Sequence, residues 1–216
     1  MLLQPSHVLP ESVLSAVIAT ALSDPGYLSL DVCQQTLIGA DLLDQLSQAA
    51  DWLGERDYRV AKIGREDREH KNHFVRTDKI NWVYGSTPAT AEYLSIMDAL
   101  RAELNKQLFL GLFEYECQFV RYESGDFYKR HKDAFSGERN RIVSTIVYLN
   151  RHWQPGDGGE LVIYCPESLK EVARVEPRFG TLVVFLSEEF PHEVLPSQQK
   201  RLSLTGWFRV NREGML

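Results

Sequence analysis

The stretch RLSLTGWFRV, residues 201–210, alternates between two kinds of side chain, as a β-strand with two different faces does. One face carries the side chains of Arg201, Ser203, Thr205 and Trp207, and the other carries those of Leu202, Leu204 and Phe208. If the apolar face packs against outer helices, the polar face lines the lumen of a barrel. An arginine there suits a carboxylate ligand, because its planar fork binds a carboxylate with two hydrogen bonds and keeps its charge.

Short strands of this kind recur through the second half of the chain, from about residue 116 onward. The candidates are ECQFVRY (116–122), RIVSTIVYLN (141–150), GELVIY (159–164), GTLVVFL (180–186) and HEVL (192–195). Turns rich in glycine and proline separate them, for example PGDGG (155–159) and EPRFG (176–180). Many short strands with such turns are typical of a sandwich or barrel, and a jelly roll fits this number of strands.

The first half of the chain has apolar residues at helical spacing instead. Three helices are predicted, one after Pro10, a second ending near Leu53, and a third from about Thr90 to Gln107. Their apolar stripes are expected in the core: Leu14, Val17, Ile18 and Ala21; Leu42, Leu43, Leu46, Ala50 and Leu53; and Leu94, Met97, Leu100 and Leu104. We therefore expect an α+β fold, with a double-stranded β-helix (jelly roll) core and N-terminal helices packed outside the sheet.

The length of 216 residues suits a single domain, which we expect to cover residues 1–216. Residues 1–112 would form mainly helical support, and residues 113–210 would form the jelly-roll core. Between the second and third helices, the segment GREDREHKNHFVRTDKINWVYG (64–85) is polar at first and then strand-like. It predicts a mobile hairpin or lid at about residues 59–76.

Composition and charge exclude several classes of protein. Hydrophobic residues make up 44% and charged residues 25%, the mixture of a globular protein rather than a disordered or fibrous one. The net charge of −6, without a basic stripe, disfavours nucleic-acid binding. The apolar runs are too short to span a membrane, the start has no signal-peptide pattern, and the three cysteines lack CxxC spacing. These features predict a cytoplasmic protein with no membrane partner.

The segment FYKRHKDAF (127–135) offers two metal ligands, since His131 and Asp133 would project from the same face of a strand. With His192, which follows a predicted strand, they make the two-histidine, one-carboxylate set of non-haem Fe(II) oxygenases. Such a set leaves positions open for dioxygen and a 2-oxo acid. The HxD spacing alone is a weak signal in a chain with six histidines. The histidines in polar or loop-like surroundings are interpreted as surface residues: His70, His73 and His152.

Two strands supply candidate groups for the 2-oxo acid. Arg201 would anchor a dicarboxylate in the lumen, although a surface arginine in an ion pair has the same sequence pattern. In VSTIVYLN (143–150), Ser144, Ile146 and Tyr148 share a face, so the Tyr148 hydroxyl would be able to donate to the same carboxylate. A core tyrosine with a satisfied hydroxyl is the alternative for Tyr148.

These residues and several longer stretches resemble one family, the Fe(II)- and 2-oxoglutarate-dependent prolyl hydroxylases of the hypoxia-sensing PHD type. The likeness covers about residues 26–209 and is far more specific than HxD. Its clearest stretches are RTDKINW (76–82), YESGDFYKRHKD (122–133), IVYLNRHW (146–153), GGELVIY (158–164), EPRFGTLVVF (176–185) and PHEVLPSQQKRLSLTGWF (191–208). The loop at 59–76 and the SGDF turn (124–127) depart from the animal enzymes.

The resemblance implies roles for individual residues. His131, Asp133 and His192 would be the iron ligands. Arg201 and Tyr148 would bind the distal carboxylate of 2-oxoglutarate. The other residues implied to line the co-substrate site are Tyr122, Ile146, Leu161, Val194 and Thr205. The residues implied to contact the substrate are Arg76, Asp78, Trp82, Tyr128, Arg141 and Trp207, with the loop at 59–76 as a finger that grips it.

The activity that the resemblance implies is hydroxylation of a prolyl residue in a protein, with Fe(II), 2-oxoglutarate, dioxygen and, as a candidate reductant, ascorbate. Bacterial relatives make elongation factor Tu a candidate partner, and a monomer is expected. Two alternatives stay open. One keeps the chemistry but acts on a free amino acid, a small metabolite or an alkylated base, although base-repair members carry a second arginine where this chain has Trp207. The other is a non-catalytic jelly-roll module that binds or senses a ligand.

Overall fold

The computed structural model describes residues 11–32, 37–54, 57–61, 75–134 and 140–211, with side chains from residue 13 onward. Most of the segment predicted as a lid (62–74) lies outside the described residues, as do Cys33, His70 and His73. Within the described ranges, no helix combines the length and the apolarity that crossing a membrane requires.

The predicted helices are present as α1 (Glu11–Ser23), α2 (Ala40–Trp52) and α3 (Pro88–Leu108). The start of α3 is fixed by a capping box. The Thr87 side chain accepts a hydrogen bond from the Thr90 N–H at 3.2 Å, and the Thr90 hydroxyl accepts one from the Thr87 N–H at 3.0 Å. Pro88 follows, where its restricted φ suits a first helical turn and its missing N–H costs nothing.

The apolar stripe predicted for α1 is wrong at Val17, whose side chain is 39% exposed. The buried residues of α1 are instead Leu14, Ser15, Ile18, Ala19 and Leu22. Each residue turns a helix by about 100°, so including positions 15 and 19 rotates the buried face away from Val17. The small side chains at those positions allow α1 to pack closely on α3, and Val17 is left facing outward.

The strands of the described residues form two antiparallel sheets. They are β1 (Tyr27–Asp31), β2 (Arg59–Val60), β3 (Lys79–Trp82), β4 (Glu114–Tyr122), β5 (Tyr128–His131), β6 (Arg141–Tyr148), β7 (Leu161–Tyr164), β8 (Glu171–Val175), β9 (Thr181–Leu186), β10 (His192–Val194) and β11 (Arg201–Arg209). The larger sheet has the order β1-β9-β6-β11-β4-β3-β2, and the smaller has the order β5-β10-β7-β8. The predicted jelly-roll core with helices outside it is confirmed.

Two edge strands, β1 and β8, were not predicted from the sequence. β8 has the sequence EVARV, and all but its last residue are at least partly exposed, so it lacks a buried apolar face. β1 is held by pairing with β9 along its whole length, from Tyr27 opposite Phe185 to Asp31 opposite Thr181. Edge strands of this kind are defined by hydrogen bonds to one neighbour, which leave little trace in the hydrophobic pattern.

The alternation predicted for β11 is confirmed, because its two faces belong to two different parts of the core. The apolar face, with Leu202, Leu204 and Phe208, joins the helices in a cluster that includes Leu43 and Met97. The opposite face of the larger sheet looks onto the smaller sheet. There a second cluster contains Val120, Tyr122, Ile146, Tyr148, Leu161, Ile163, Phe185 and Val194. The polar residues of β11 therefore point into the space between the sheets.

Candidate metal and co-substrate site

A cavity of about 690 Å³ lies between the two sheets. Residues of β4, β6 and β11 line it from the larger sheet, and residues of β5, β7 and β10 line it from the smaller one. Residues of β2 and β3 extend it toward one edge of the larger sheet. The polar face of β11 reaches this cavity through Arg201, Thr205 and Trp207.

His131, Asp133 and His192 offer three ligand atoms that all lie within 4.8 Å of one another. The histidines meet because His192, the first residue of β10, pairs with His131, the last residue of β5. The Asp133 Oδ1 atom is 3.6 Å from His131 Nε2 and 3.7 Å from His192 Nε2. Two imidazole nitrogens and one carboxylate oxygen so arranged fit a non-haem Fe(II) ion and leave coordination positions for other ligands.

Asp133 reaches this cluster by a route that differs from the prediction. β5 ends at His131, and Asp133 lies in the bend that follows, so the two side chains do not project from one strand. Instead, Ser144 on β6 orients the carboxylate: its hydroxyl donates to Asp133 Oδ2 at 2.7 Å and contacts the Ser187 hydroxyl at 2.8 Å. A tertiary contact between this bend and β6, rather than strand periodicity, positions the carboxylate.

Each histidine is turned so that its Nε2 faces the cluster. His131 Nδ1 lies 2.8 Å from the Lys129 carbonyl oxygen, and His192 Nδ1 lies 3.1 Å from the Phe190 carbonyl oxygen. A carbonyl oxygen only accepts, so Nδ1 carries the proton in both rings and Nε2 keeps its lone pair. Such outer hydrogen bonds are what orients histidine ligands in metal sites.

The charges of the cluster also suit a cation. Burial alone would raise the pKa of Asp133, but the neighbouring His192 and His131 outweigh burial and hold that pKa well below its ordinary range. Burial, helped by the nearby His131, lowers the pKa of His192 to about 4. At neutral pH, Asp133 is therefore anionic and His192 is neutral, as metal ligands must be.

Arg201 is the largest fully buried side chain, and only 1% of it is exposed. Its Nε donates to the Gly159 carbonyl oxygen at 2.9 Å and its Nη2 donates to the Tyr148 hydroxyl at 3.2 Å. The guanidinium also lies over the Tyr122 and Tyr148 rings, 4.9 and 4.8 Å from their centroids. No carboxylate of the described residues pairs with it. A buried cation without a counter-charge is costly, so the site suits an anionic ligand.

Gly159 is needed at that contact. It has a φ of +63°, and a Cβ there would lie 3.1 Å from Arg201 Cδ and 3.2 Å from the Trp153 ring. Any larger residue would press on the guanidinium arm and would adopt a strained backbone conformation.

The other residues assigned to the site from the sequence lie around the same cavity, and all of them except Tyr148 line it. Those that line it are Arg76, Asp78, Trp82, Tyr122, Tyr128, Arg141, Ile146, Leu161, Val194, Thr205 and Trp207. Tyr148 is fully buried and does not line the cavity, but its hydroxyl contacts Arg201, which does. His152, interpreted as a surface residue, is exposed in the turn that follows Asn150.

Arg76 and Asp78 form an ion pair beside the metal cluster. Arg76 Nε donates to Asp78 Oδ1 at 2.7 Å, and its guanidinium lies 4.2 Å from the centroid of the Tyr128 ring. Tyr128 in turn stacks on His131, with ring centroids 3.5 Å apart. Asp78 is completely buried. The ion pair therefore holds Arg76, which lies just after the point where the described residues resume at position 75, against the wall of the cavity.

Several further polar residues of the cavity were missed in the sequence, among them Glu116 and Gln118. Both lie on β4, at alternate positions before Tyr122, which had been assigned to the site. The period of two along a strand places Glu116, Gln118, Val120 and Tyr122 on one face. That periodicity was available in the sequence and would have found them.

Comparison with known proteins gives the family. Residues 117–209 match the family model described as the 2OG-Fe(II) oxygenase superfamily. A crystal structure of a Pseudomonas putida prolyl-4-hydroxylase is 38% identical in sequence, and the alignment covers 91% of this chain and 99% of that chain with a TM-score of 0.80. The chain belongs to the 2OG-Fe(II) oxygenase superfamily.

Several other relatives of this oxygenase are animal proteins. A prolyl hydroxylase from Trichoplax adhaerens, solved in complex with a peptide fragment of the hypoxia inducible factor oxygen degradation domain, is 26% identical with a TM-score of 0.80, covering 92% of this chain and 90% of that chain. Human prolyl hydroxylase EGLN3 is 29% identical over 92% of this chain and 84% of that protein. Human Egl nine homolog 1 is 32% identical over 62% of this chain, and the match spans only a third of that protein, 33% of its length.

The resemblance inferred from the sequence is confirmed. This oxygenase is an enzyme of the prolyl hydroxylase type, and the cofactors of its family are Fe(II), 2-oxoglutarate and dioxygen. The cluster of His131, Asp133 and His192 has the donor set that such an iron requires.

Proposed function

We propose that this oxygenase hydroxylates a prolyl residue within a protein, and that elongation factor Tu is the first substrate to test. The observation that carries the proposal is that the cluster of His131, Asp133 and His192 and the buried Arg201 open onto one cavity. Support for a protein substrate comes from the Trichoplax relative, which was solved with a peptide.

In this proposal His131, Asp133 and His192 hold Fe(II), and Arg201 and Tyr148 hold the distal carboxylate of 2-oxoglutarate. When bound, the iron with 2-oxoglutarate and dioxygen supplies the oxidising chemistry that replaces a C–H bond of the substrate by C–OH. The Arg201 fork gives the dicarboxylate a fixed orientation, because two parallel hydrogen bonds define both position and angle. Thr205 adds a hydroxyl on the same face of β11.

The remaining lining residues exclude water and orient the substrate. Tyr122, Ile146, Leu161 and Val194 form the largely apolar wall around the co-substrate, which keeps the reacting groups away from bulk solvent. Arg76, Asp78, Trp82, Tyr128, Arg141 and Trp207 line the part of the cavity that would receive the prolyl residue. We further propose that residues 1–216 act as one domain and that the enzyme works as a cytoplasmic monomer.

The test is direct. Purified bacterial elongation factor Tu is incubated with the enzyme, Fe(II), ascorbate and 2-oxoglutarate, and its tryptic peptides are analysed by mass spectrometry. We expect a gain of one oxygen atom on a prolyl residue, and no gain when iron or 2-oxoglutarate is left out. A digest of a bacterial proteome extends the same assay to other proteins. Conversion of 2-oxoglutarate to succinate without any hydroxylated proline in either sample would contradict the protein substrate, whereas no conversion at all would contradict the assigned site.

A further inference from the structure

The mouth of the cavity, meaning Trp82, Glu116, Gln118, Arg141, Trp207 and Arg209, contains charges that neutralise one another. Glu116 Oε1 accepts from Arg141 Nε at 2.9 Å and from Arg141 Nη2 at 2.8 Å. Glu116 Oε2 accepts from Arg209 Nη1 at 2.8 Å, and the same nitrogen lies 3.0 Å from Glu114. Both arginines are thus bound to carboxylates of the chain itself, and of their nitrogen atoms Arg209 Nε is buried without a partner among the described residues.

Arg141 is also held by an aromatic ring. Its guanidinium lies 3.6 Å from the centroid of the Trp207 indole, within the range of a cation–π contact. Two nitrogen atoms of Arg141 donate to Glu116 and the plane of its guanidinium contacts the Trp207 indole, so the position of this side chain is fixed. A charged group of a substrate would have to displace these contacts, so the mouth is poorly suited to recognising substrates by charge.

Gln118 is the uncharged side-chain amide of this mouth. The residue is 4% exposed, and its Oε1 is buried without a hydrogen-bond partner among the described residues. Trp207 is 5% exposed, and its indole Nε1 is also buried without a hydrogen-bond partner among the described residues. Over 90% of buried polar groups in proteins have a partner, and leaving one without a partner costs about 1–3 kcal/mol. An acceptor and a donor that lack partners in two residues lining one cavity point to a ligand that supplies both complements once these side chains turn toward it.

The position of Gln118 defines what can approach it. On β4 it lies opposite Trp82 of β3 on one side and opposite Thr205 of β11 on the other. The Trp82 and Trp207 indoles come from the strands on either side of β4, and their ring centroids are 6.4 Å apart in a tilted arrangement. Because the last torsion of a glutamine is broad, the carboxamide can turn either its oxygen or its nitrogen toward a ligand without strain.

We propose that Gln118 is a specificity-determining residue whose carboxamide hydrogen-bonds the main chain of the substrate polypeptide beside the target proline. The indole N–H of Trp207 serves as a second donor to that main chain. A peptide group offers one N–H and one C=O, which match an amide side chain and an indole. Free proline instead carries an ammonium and a carboxylate, for which the paired charges of the mouth provide no counterpart. The inference rests on the proposed function and narrows it to substrates in which the chain continues past the proline.

The experiment uses the full-length enzyme with iron and a proline-containing peptide that the wild type hydroxylates, taken from elongation factor Tu or from the proteome digest. Each main-chain N–H near the proline is N-methylated in turn, which removes one donor at a time. For the wild type, methylation at one position is expected to raise KM about tenfold, the value of one hydrogen bond. Gln118→Met, which has a similar length but no amide, is expected to raise KM for the unmodified peptide about tenfold and to be insensitive to the same methylation.

Controls separate this role from a general effect on the fold. Gln45→Met replaces an exposed glutamine of α2 remote from the cavity and is expected to keep the wild-type KM. Gln118→Glu keeps an acceptor and is expected to recover part of the affinity that Gln118→Met loses. Equal sensitivity of the wild type and Gln118→Met to every methylation would overturn the inference, as would hydroxylation of free L-proline as efficient as that of the peptide. If the wild type converts 2-oxoglutarate but hydroxylates no peptide, the proposed function fails before Gln118 is tested.

Discussion

At Asp133, one carboxylate supplies all the negative charge of the three-ligand cluster. Asp133→Ala is expected to reduce succinate formation by at least about 100-fold, because even the loss of an outer hydrogen-bond partner costs metal sites about 10–100-fold. Asp98→Ala is the matched control, since the Asp98 side chain is 68% exposed in a pair with Arg101, and surface pairs contribute little. Wild-type activity in Asp133→Ala would show that the metal is bound elsewhere.

Arg201→Lys tests the carboxylate anchor, because a point charge replaces a planar fork that now contacts Gly159 and Tyr148. We expect KM for 2-oxoglutarate to rise about tenfold to a hundredfold, the value of one charge-assisted hydrogen bond of about 1.5–3 kcal/mol. Succinate formation at varied 2-oxoglutarate measures it. Arg174→Lys, at an exposed pair with Glu171, is the control and is expected to keep the wild-type KM. An unchanged KM in Arg201→Lys would place the distal carboxylate at another group.

Cys117 and Cys165 differ in burial, and the effect of this difference on their reactivity can be tested without a substitution. Burial raises the pKa of the Cys117 thiol to about 12, whereas Cys165 is partly exposed in the turn after β7. The thiolate is the reactive form, and a raised pKa keeps Cys117 protonated at every pH below about 12. Iodoacetamide at pH 8 is therefore expected to modify Cys165 far faster than Cys117, as measured by peptide mass spectrometry. Rapid modification of both in the folded protein would contradict the packing of β4; unfolding in guanidinium should remove the difference.

β11 is packed closely by its neighbouring strands at Gly206. A Cβ at Gly206 would lie 2.8 Å from Cys117 Cβ and closer still to the Tyr115 hydroxyl. That hydroxyl is fixed by Tyr93 at 3.0 Å and by Thr145 at 2.8 Å, so it has no room to move. Gly206→Ala is expected to destabilise the fold by about 1–3 kcal/mol, the range of overpacked cores.

Thermal unfolding measures this effect of Gly206→Ala as a lower Tm. Gly54→Ala is the control, because Gly54 is exposed, its φ is not positive and the nearest atom to a Cβ there lies at 3.6 Å, an ordinary contact; we expect a change within about 0.5 kcal/mol. Adding Tyr115→Phe to Gly206→Ala removes the blocking oxygen and is expected to restore part of the loss. A Tm of Gly206→Ala equal to that of the wild type would mean that β4 and β11 can separate more easily than their packing indicates.

The elements also differ in how well the sequence predicted them. α2, α3 and the central strands of the larger sheet carry long periodic patterns, and their predicted spans agree with the structure to within about three residues. β1 and β8 carry no such pattern, since an edge strand is stabilised mainly by backbone pairing. The buried face of α1 differs from the predicted stripe because two small residues, Ser15 and Ala19, belong to it.

In the whole molecule, the proposed ligands come from both sheets. His131 and His192 lie on β5 and β10 of the smaller sheet, and Arg201 lies on β11 of the larger one. A molecule that binds the metal and Arg201 together therefore links the sheets and stabilises the folded state by mass action, by about 2.7 kcal/mol at 100 times its Kd.

We expect 2-oxoglutarate to raise Tm markedly when Mn(II), a redox-stable substitute for iron, is present, and much less without metal. Differential scanning fluorimetry measures both values. The same additions to Asp133→Ala should give little shift. A shift by 2-oxoglutarate that is equal with and without metal would mean that the metal takes no part in binding it.

The family and the candidate ligands could be inferred from the sequence alone, because side-chain type and strand periodicity are local properties. How these residues meet became known only from the folded structure. There Asp133 lies beyond the end of β5 and is fixed by Ser144, Arg201 is buried with no carboxylate of the described residues paired to it, and Gln118 Oε1 has no hydrogen-bond partner among those residues. Those relations depend on the register between strands far apart in the chain, and register is set by the packing of the whole core rather than by any one segment.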